Sequence, residues 1–171
     1  MGEMAVPVKY RKEIHKSPAS DPQRYLVYRM EAEAFGGRGY YRLTRPSLKR
    51  LARSLCKNYG MPQVKIRFKD LGRWAAEWEE PNILTFGTKK TSQDLITLIH
   101  ELAHHLHHHM HPLQDQEGHG PEFMACYMSI LDVGRIIPVV GMRAICDSYG
   151  VRFVDPGTRN SLRDLRKAVN G

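Results

Sequence analysis

The sequence predicts an α+β domain, with a small sheet of three or four strands on one side and a histidine-bearing helix beneath it. Three observations lead there. Val64 to Phe68 alternates apolar and charged residues, the period-two pattern of a half-buried strand. Leu95-Ile96, Leu98-Ile99, Leu102-Ala103 and Leu106 instead recur at helical spacing, so that one face of a helix packs in a core. The length, 171 residues, suits one domain with a core of its own.

Each element follows from local chemistry. Residues 1–20, with Pro7 and Pro18 and little periodicity, read as a flexible basic arm; residues 21–171 read as a single domain. Gln23 to Phe35 forms a helix stopped by Gly36-Gly37. Thr44 to Asn58 forms a second, with Pro46 in its first turn, Leu48, Leu51, Ala52 and Leu55 on one face, and Gly60 beyond its end. After the strand at Val64 to Phe68, Trp74 to Trp78 and Asn82 to Phe86 are strands joined by a turn at Glu79-Glu80-Pro81. Thr91 or Ser92 caps the next helix, with Asp94 in its first turn, and Pro112 ends it. Glu122 to Val133 and Ile136 to Ser148 are helices, Val151 to Val154 a short edge strand, and Ser161 to Val169 a basic terminal helix.

The net charge of +8 is uneven, because residues 1–60 hold the whole excess and residues 61–120 are slightly acidic. Arg38, Tyr40, Tyr41, Arg42, Lys49, Arg50 and Arg53 form a basic, aromatic-bearing region able to meet nucleic-acid phosphates and bases, so DNA is a candidate partner. The sequence has no long apolar span and no leader-type apolar segment, and its three scattered cysteines suit free thiols; a cytoplasmic location, without membrane association, is the expectation.

The chemistry centres on His100-Glu101-Leu102-Ala103-His104. Histidines four apart on a helix share a face and reach one metal ion, and a glutamate directly after the first can take a proton from metal-bound water. The run continues as His105, His107, His108, His109 and His111. His104/His108 and His107/His111 repeat the spacing, but only His100/His104 has the carboxylate and lies inside the apolar periodic stretch. His107 and His111 lie within roughly 60° of His100 and His104 around the helix but near its end, whereas His105 and His109 point away. A catalytic zinc takes three protein ligands. His119 is the candidate third, placed between Gly118 and Gly120 ahead of a helix opened by Pro121; Glu122 is its competitor.

Spacing separates the zinc hydrolase families. The metzincin pattern requires Gly at position 107 and His at position 110, where this chain has His107 and Met110; a three-histidine endoribonuclease-type pattern fails at Met110 as well. A deformylase-type cysteine ligand is not offered by Cys56, which lies on a helix face. With His100-Glu101-Leu102-Ala103-His104 followed after a polar loop by His119-Gly120-Pro121-Glu122-Phe123, the chain resembles the SprT-like (Spartan-type) metalloprotease family over roughly residues 60–130. It departs from the family in having no four-cysteine zinc ribbon, since only Cys126 and Cys146 lie downstream.

The resemblance implies a small zincin-like domain, one Zn2+ held by His100, His104 and His119, and Glu101 as catalytic base of an endopeptidase acting on protein substrates, DNA-associated ones included. By analogy with related zinc proteases, Trp78 to Phe86 would receive an extended peptide. Tyr127 and Tyr149 are the candidate oxyanion stabilisers. Two alternatives stay open: a non-catalytic metal- and nucleic-acid-binding protein, and a zinc hydrolase of a non-peptide amide.

Overall fold

The structure, a computed structural model, describes residues 21–36, 41–72, 74–79, 81–110 and 118–156. The expected N-terminal arm, the C-terminal helix at Ser161 to Val169 and His111 lie outside the described residues. Within them the architecture is α+β, with five α-helices and one three-stranded sheet.

Helix α1 (Arg24–Ala34) buries Val27 and Met30 and ends at Phe35. Helix α2 (Arg45–Tyr59) starts at Thr44, whose Oγ1 accepts from the Ser47 amide at 3.3 Å, with Pro46 in the first turn where no amide hydrogen is needed. It stops at Gly60, which takes φ +66°, a left-handed conformation that costs a glycine nothing. Its buried face is Leu48, Ala52, Leu55, Cys56 and Tyr59, and the Tyr59 hydroxyl meets Ser129 Oγ at 2.6 Å in the core.

The strands are β1 (Lys65–Lys69), β2 (Ala76–Glu79) and β3 (Ile83–Gly87), in the order β1-β3-β2. β1 runs parallel to β3 and β2 antiparallel, with Phe68 and Ala76 both opposite Phe86, and Ile66 and Trp78 both opposite Leu84. Alternation therefore puts an apolar row on one face and sets Arg67, Thr85 and Glu77 side by side on the other. Because β3 is paired on both sides, only the β2 part of Trp78–Phe86 keeps an edge for an added strand; the expected peptide-binding stretch shrinks to β2.

Helix α3 (Leu95–Met110) carries the histidine run. Its cap is Asp94, not Thr91 or Ser92, which sit in a 3₁₀ turn at Lys90–Ser92. Asp94 accepts from the Thr97 amide and hydroxyl, each at 2.9 Å, satisfying a helix-end donor that the turn residues are too far back to reach. Leu98, Ile99, Leu102 and Leu106 are fully buried, each contributing about 1.5–3 kcal/mol relative to exposure. Helix α4 (Pro121–Val133) makes the most extensive helix packing against α3 and opens at Gly120, with Pro121 in its first turn. Helix α5 (Val139–Tyr149) begins three residues later than Ile136, because Pro138 forces Ile137 out of the helical region.

Val151–Val154 is extended but forms no strand. Gln23 accepts from the Arg152 amide at 2.7 Å and donates to the Arg152 carbonyl at 2.9 Å, while the Val154 amide donates to Pro121. A side chain from the start of α1 takes up the backbone groups that a sheet neighbour would otherwise use. No helix of the described residues is long and apolar enough to cross a membrane.

Candidate metal centre

His100 and His104 project from α3 one turn apart, and His119 reaches them from the turn before α4. Their ligand atoms lie within 4.8 Å of one another, the one such grouping of three among the described residues. His100 Nε2 is 3.3 Å from His104 Nε2 and 3.1 Å from His119 Nε2. Tetrahedral coordination at ordinary Zn–N distances sets neighbouring ligand nitrogens roughly 3.3 Å apart, so the spacing fits one ion of that size. Glu122 does not join the grouping.

The partners of the outward nitrogens bear on the state of the inward ones. His100 Nδ1 lies 2.7 Å from Glu31 Oε1, and His119 Nδ1 lies 2.6 Å from Asp21 Oδ2. A carboxylate at Nδ1 holds the proton there and leaves a lone pair at Nε2, the arrangement of carboxylate-oriented metal histidines. Two such lone pairs facing each other at 3.1 Å repel unless a cation stands between them. One proton bridges only one pair, whereas a single metal ion could accept all three nitrogens.

His119 is held from every side. Its amide donates to Asp21 Oδ1 at 3.0 Å and its carbonyl accepts from Gln23 Nε2 at 2.9 Å. Gly118 leaves room for this, since a Cβ there would stand 3.2 Å from Asp21 Oδ2. Phe123, one turn into α4, packs on all three rings with centroids 4.5, 4.9 and 5.3 Å from those of His104, His119 and His100.

Burial keeps His104 and His119 neutral. Burial, reinforced by His100 and His119, holds the His104 pKa well below the usual histidine value. Burial lowers that of His119 as well, against the opposing hydrogen bond from Asp21. Burial pushes the Asp21 carboxyl up, but its bonds to His119 and the charges of His119 and Arg24 outweigh that and leave it lowered, hence ionised. A neutral His119 backed by an ionised Asp21 is a donor ready for a divalent metal.

Glu101 is buried and lines an open cleft beside the trio, together with Arg24, Tyr28, Trp74, Glu77 and Trp78. Two other histidines of the run make contacts elsewhere. His105 is fully buried and donates through Nε2 to the Pro62 carbonyl at 2.9 Å, and His108 packs on Trp78 at 5.0 Å. The two tyrosines expected as oxyanion stabilisers are not at the cleft. Tyr127 is fully buried beside His100, and Tyr149, at the end of α5, lies against Arg29.

Sequence reasoning missed Asp21, Arg24, Tyr28 and Glu31. Their spacing of three, four and three places them along one face of α1 and its approach, a polar stripe beside the buried Val27 and Met30. That stripe was the available signal, but nothing local aims it at histidines 69 and 98 residues away from Glu31 and Asp21.

Comparison with protein-family models, with curated proteins and with solved structures finds no match to this chain.

Proposed function

We propose that this chain is a zinc-dependent endopeptidase of the SprT-like type and zincin-like fold, with His100, His104 and His119 as ligands and Glu101 as general base. The reading rests on one observation: three inward Nε2 atoms converge, two of them backed by carboxylates, with Glu101 buried in the same cleft. A zinc ion, when bound, supplies the Lewis acidity that polarises a carbonyl and acidifies water. Glu101 takes the proton from the attacking water and returns it to the leaving amine nitrogen. Strand β2, whose Ala76, Glu77 and Trp78 line the cleft, offers its outer edge to an extended peptide.

The partner side of the proposal is nucleic acid. Between Arg42 and Lys69 the chain holds Arg42, Arg45, Lys49, Arg50, Arg53, Lys57, Lys65, Arg67 and Lys69 and no acidic residue. All nine are exposed, and Lys49, Arg53 and Lys57 line a groove between α2 and the β1 edge. The apolar face of α2 is spent on the core, so this surface suits phosphates rather than lipid chains. The natural substrates would then be proteins held on DNA.

The same basic surface favours a second reading, a metal- and nucleic-acid-binding protein without catalysis. The test is Glu101→Gln, assayed on casein and on a short neutral peptide with zinc measured by elemental analysis. The peptidase reading expects one zinc per chain in both proteins and hydrolysis only in the wild type; equal rates would sink it. Cleavage of a simple amide but no peptide would redirect the reading to a non-peptide amide.

A further inference from the structure

We propose that Tyr28 is the oxyanion donor of this centre: its phenolic hydroxyl donates a hydrogen bond to the scissile carbonyl oxygen as that oxygen gains negative charge. The proposal rests on the peptidase reading and extends it to helix α1, which lies outside the segment that resembles known proteases.

Geometry selects the residue. Two cavities flank the metal trio, one running behind β2 past Ile96 and Thr97 and one opening past Trp78 and His104. Tyr28, His100 and Glu101 line both, so Tyr28 stands where a substrate carbonyl, the base and the first ligand come together. Its ring stacks on His100, with centroids 5.4 Å apart and planes 21° apart, and meets His119 edge-on at 5.2 Å. Arg24 covers the ring, its guanidinium carbon 5.5 Å from the Tyr28 centroid and 5.9 Å from that of Trp74. A tyrosine clamped between two ligand rings and a cation is pre-set in orientation, and pre-set donors act most strongly on developing charge.

Of the described tyrosines only Tyr28 lines this cleft. Trp78 Nε1, the donor of another cleft residue, is itself buried.

The balance of the step is simple. Water oxygen bonds to the carbonyl carbon, and the C=O π pair moves onto the carbonyl oxygen facing Tyr28. Glu101 receives the water proton. On collapse the pair returns, the C–N bond breaks, and the amine nitrogen leaves with the proton from Glu101. Tyr28 keeps its own proton throughout.

Tyr28→Phe removes the hydroxyl and keeps the ring stacked on His100. With full-length protein and a fluorogenic peptide, we expect kcat to fall about 10²- to 10³-fold, with KM within twofold and zinc content unchanged. A phosphinic peptide, which presents a tetrahedral anionic oxygen, should bind more weakly by a similar factor, whereas the cleaved product should bind as before. Wild-type kcat in Tyr28→Phe beside an inactive Glu101→Gln would overturn the proposal alone. Loss of zinc from Tyr28→Phe would also overturn it, by making the hydroxyl a support for the ligands. A wild type no faster than Glu101→Gln would remove the peptidase reading and this proposal with it.

Discussion

Strands β1 and β2 both pair with β3, yet the two edges of the sheet carry opposite chemistry. β1 exposes Lys65, Arg67 and Lys69 beside the basic stripe of α2. β2 exposes Glu77 and Glu79 and runs along the histidine cleft. Both use the same period-two alternation, with the inner row apolar in each case. The difference lies in how the charges are partnered. On the cleft side, Asp21 and Glu31 are each bonded to one histidine at 2.6–2.7 Å, and the geometry is specific. On the β1 side no acidic residue interrupts the cations from Arg42 to Lys69, so the surface works through summed field rather than placement. On the proposed function one edge would serve chemistry and the other capture, and each should fail independently of the other.

Four perturbations test that independence, in falling order of effect. Glu101→Gln, or chelation of the metal, should lower peptide hydrolysis by at least about 10³-fold while DNA affinity, read by fluorescence anisotropy, stays within twofold. A joint loss would break the separation of the two edges. Lys49→Glu with Arg53→Glu and Lys57→Glu should do the reverse. Here DNA affinity should drop about 10²- to 10³-fold and the log K against log salt slope shrink by about three, with cleavage of a short neutral peptide untouched.

Asp21→Asn and Glu31→Gln keep a polar acceptor beside the imidazole but remove the charge. Each should weaken zinc binding about 10- to 100-fold in competition with a chromogenic chelator, leaving DNA binding as it was. Unchanged zinc affinity in both would mean that the carboxylates do not tune the ligands. The smallest effect belongs to the scaffold. Thr44→Ala removes the cap of α2 and should cost about 1 kcal/mol in denaturant unfolding, without altering hydrolysis.

Much of the fold was legible because it rests on local rules. Thr44, Pro46 and Gly60 bracket α2, Gly120 and Pro121 open α4, and alternation marks β1 within a residue of its bounds. Two of the failures share a cause, since each involved a backbone group satisfied from far along the chain. Val151–Val154 has strand-like residues, yet Gln23 and Pro121 take up its amides before any sheet can. The cap of α3 slipped to Asp94 because residues 41–43 pair with 93–95, through Leu43 to Gln93 at 2.8 Å and Leu95 to Tyr41 at 2.9 Å, and fix where the helix begins. The basic surface proved larger than the residue 1–60 count implied, because β1 adds its cations only once folded beside α2.

At the candidate site the division is sharper. By itself the sequence determined that His100 and His104 share a helical face, that Glu101 lies next to them, and that His119 sits in a turn ahead of a helix. Spacing along one chain segment is enough for each of these. Only the tertiary structure decided that three Nε2 atoms meet, that Asp21 and Glu31 hold the proton on the far nitrogen of two of them, and that Tyr28 faces the cleft. The reason is distance along the chain. His119 lies 98 residues from Asp21 and His100 lies 69 from Glu31, so those contacts exist only after the core of α1, α3 and α4 has closed.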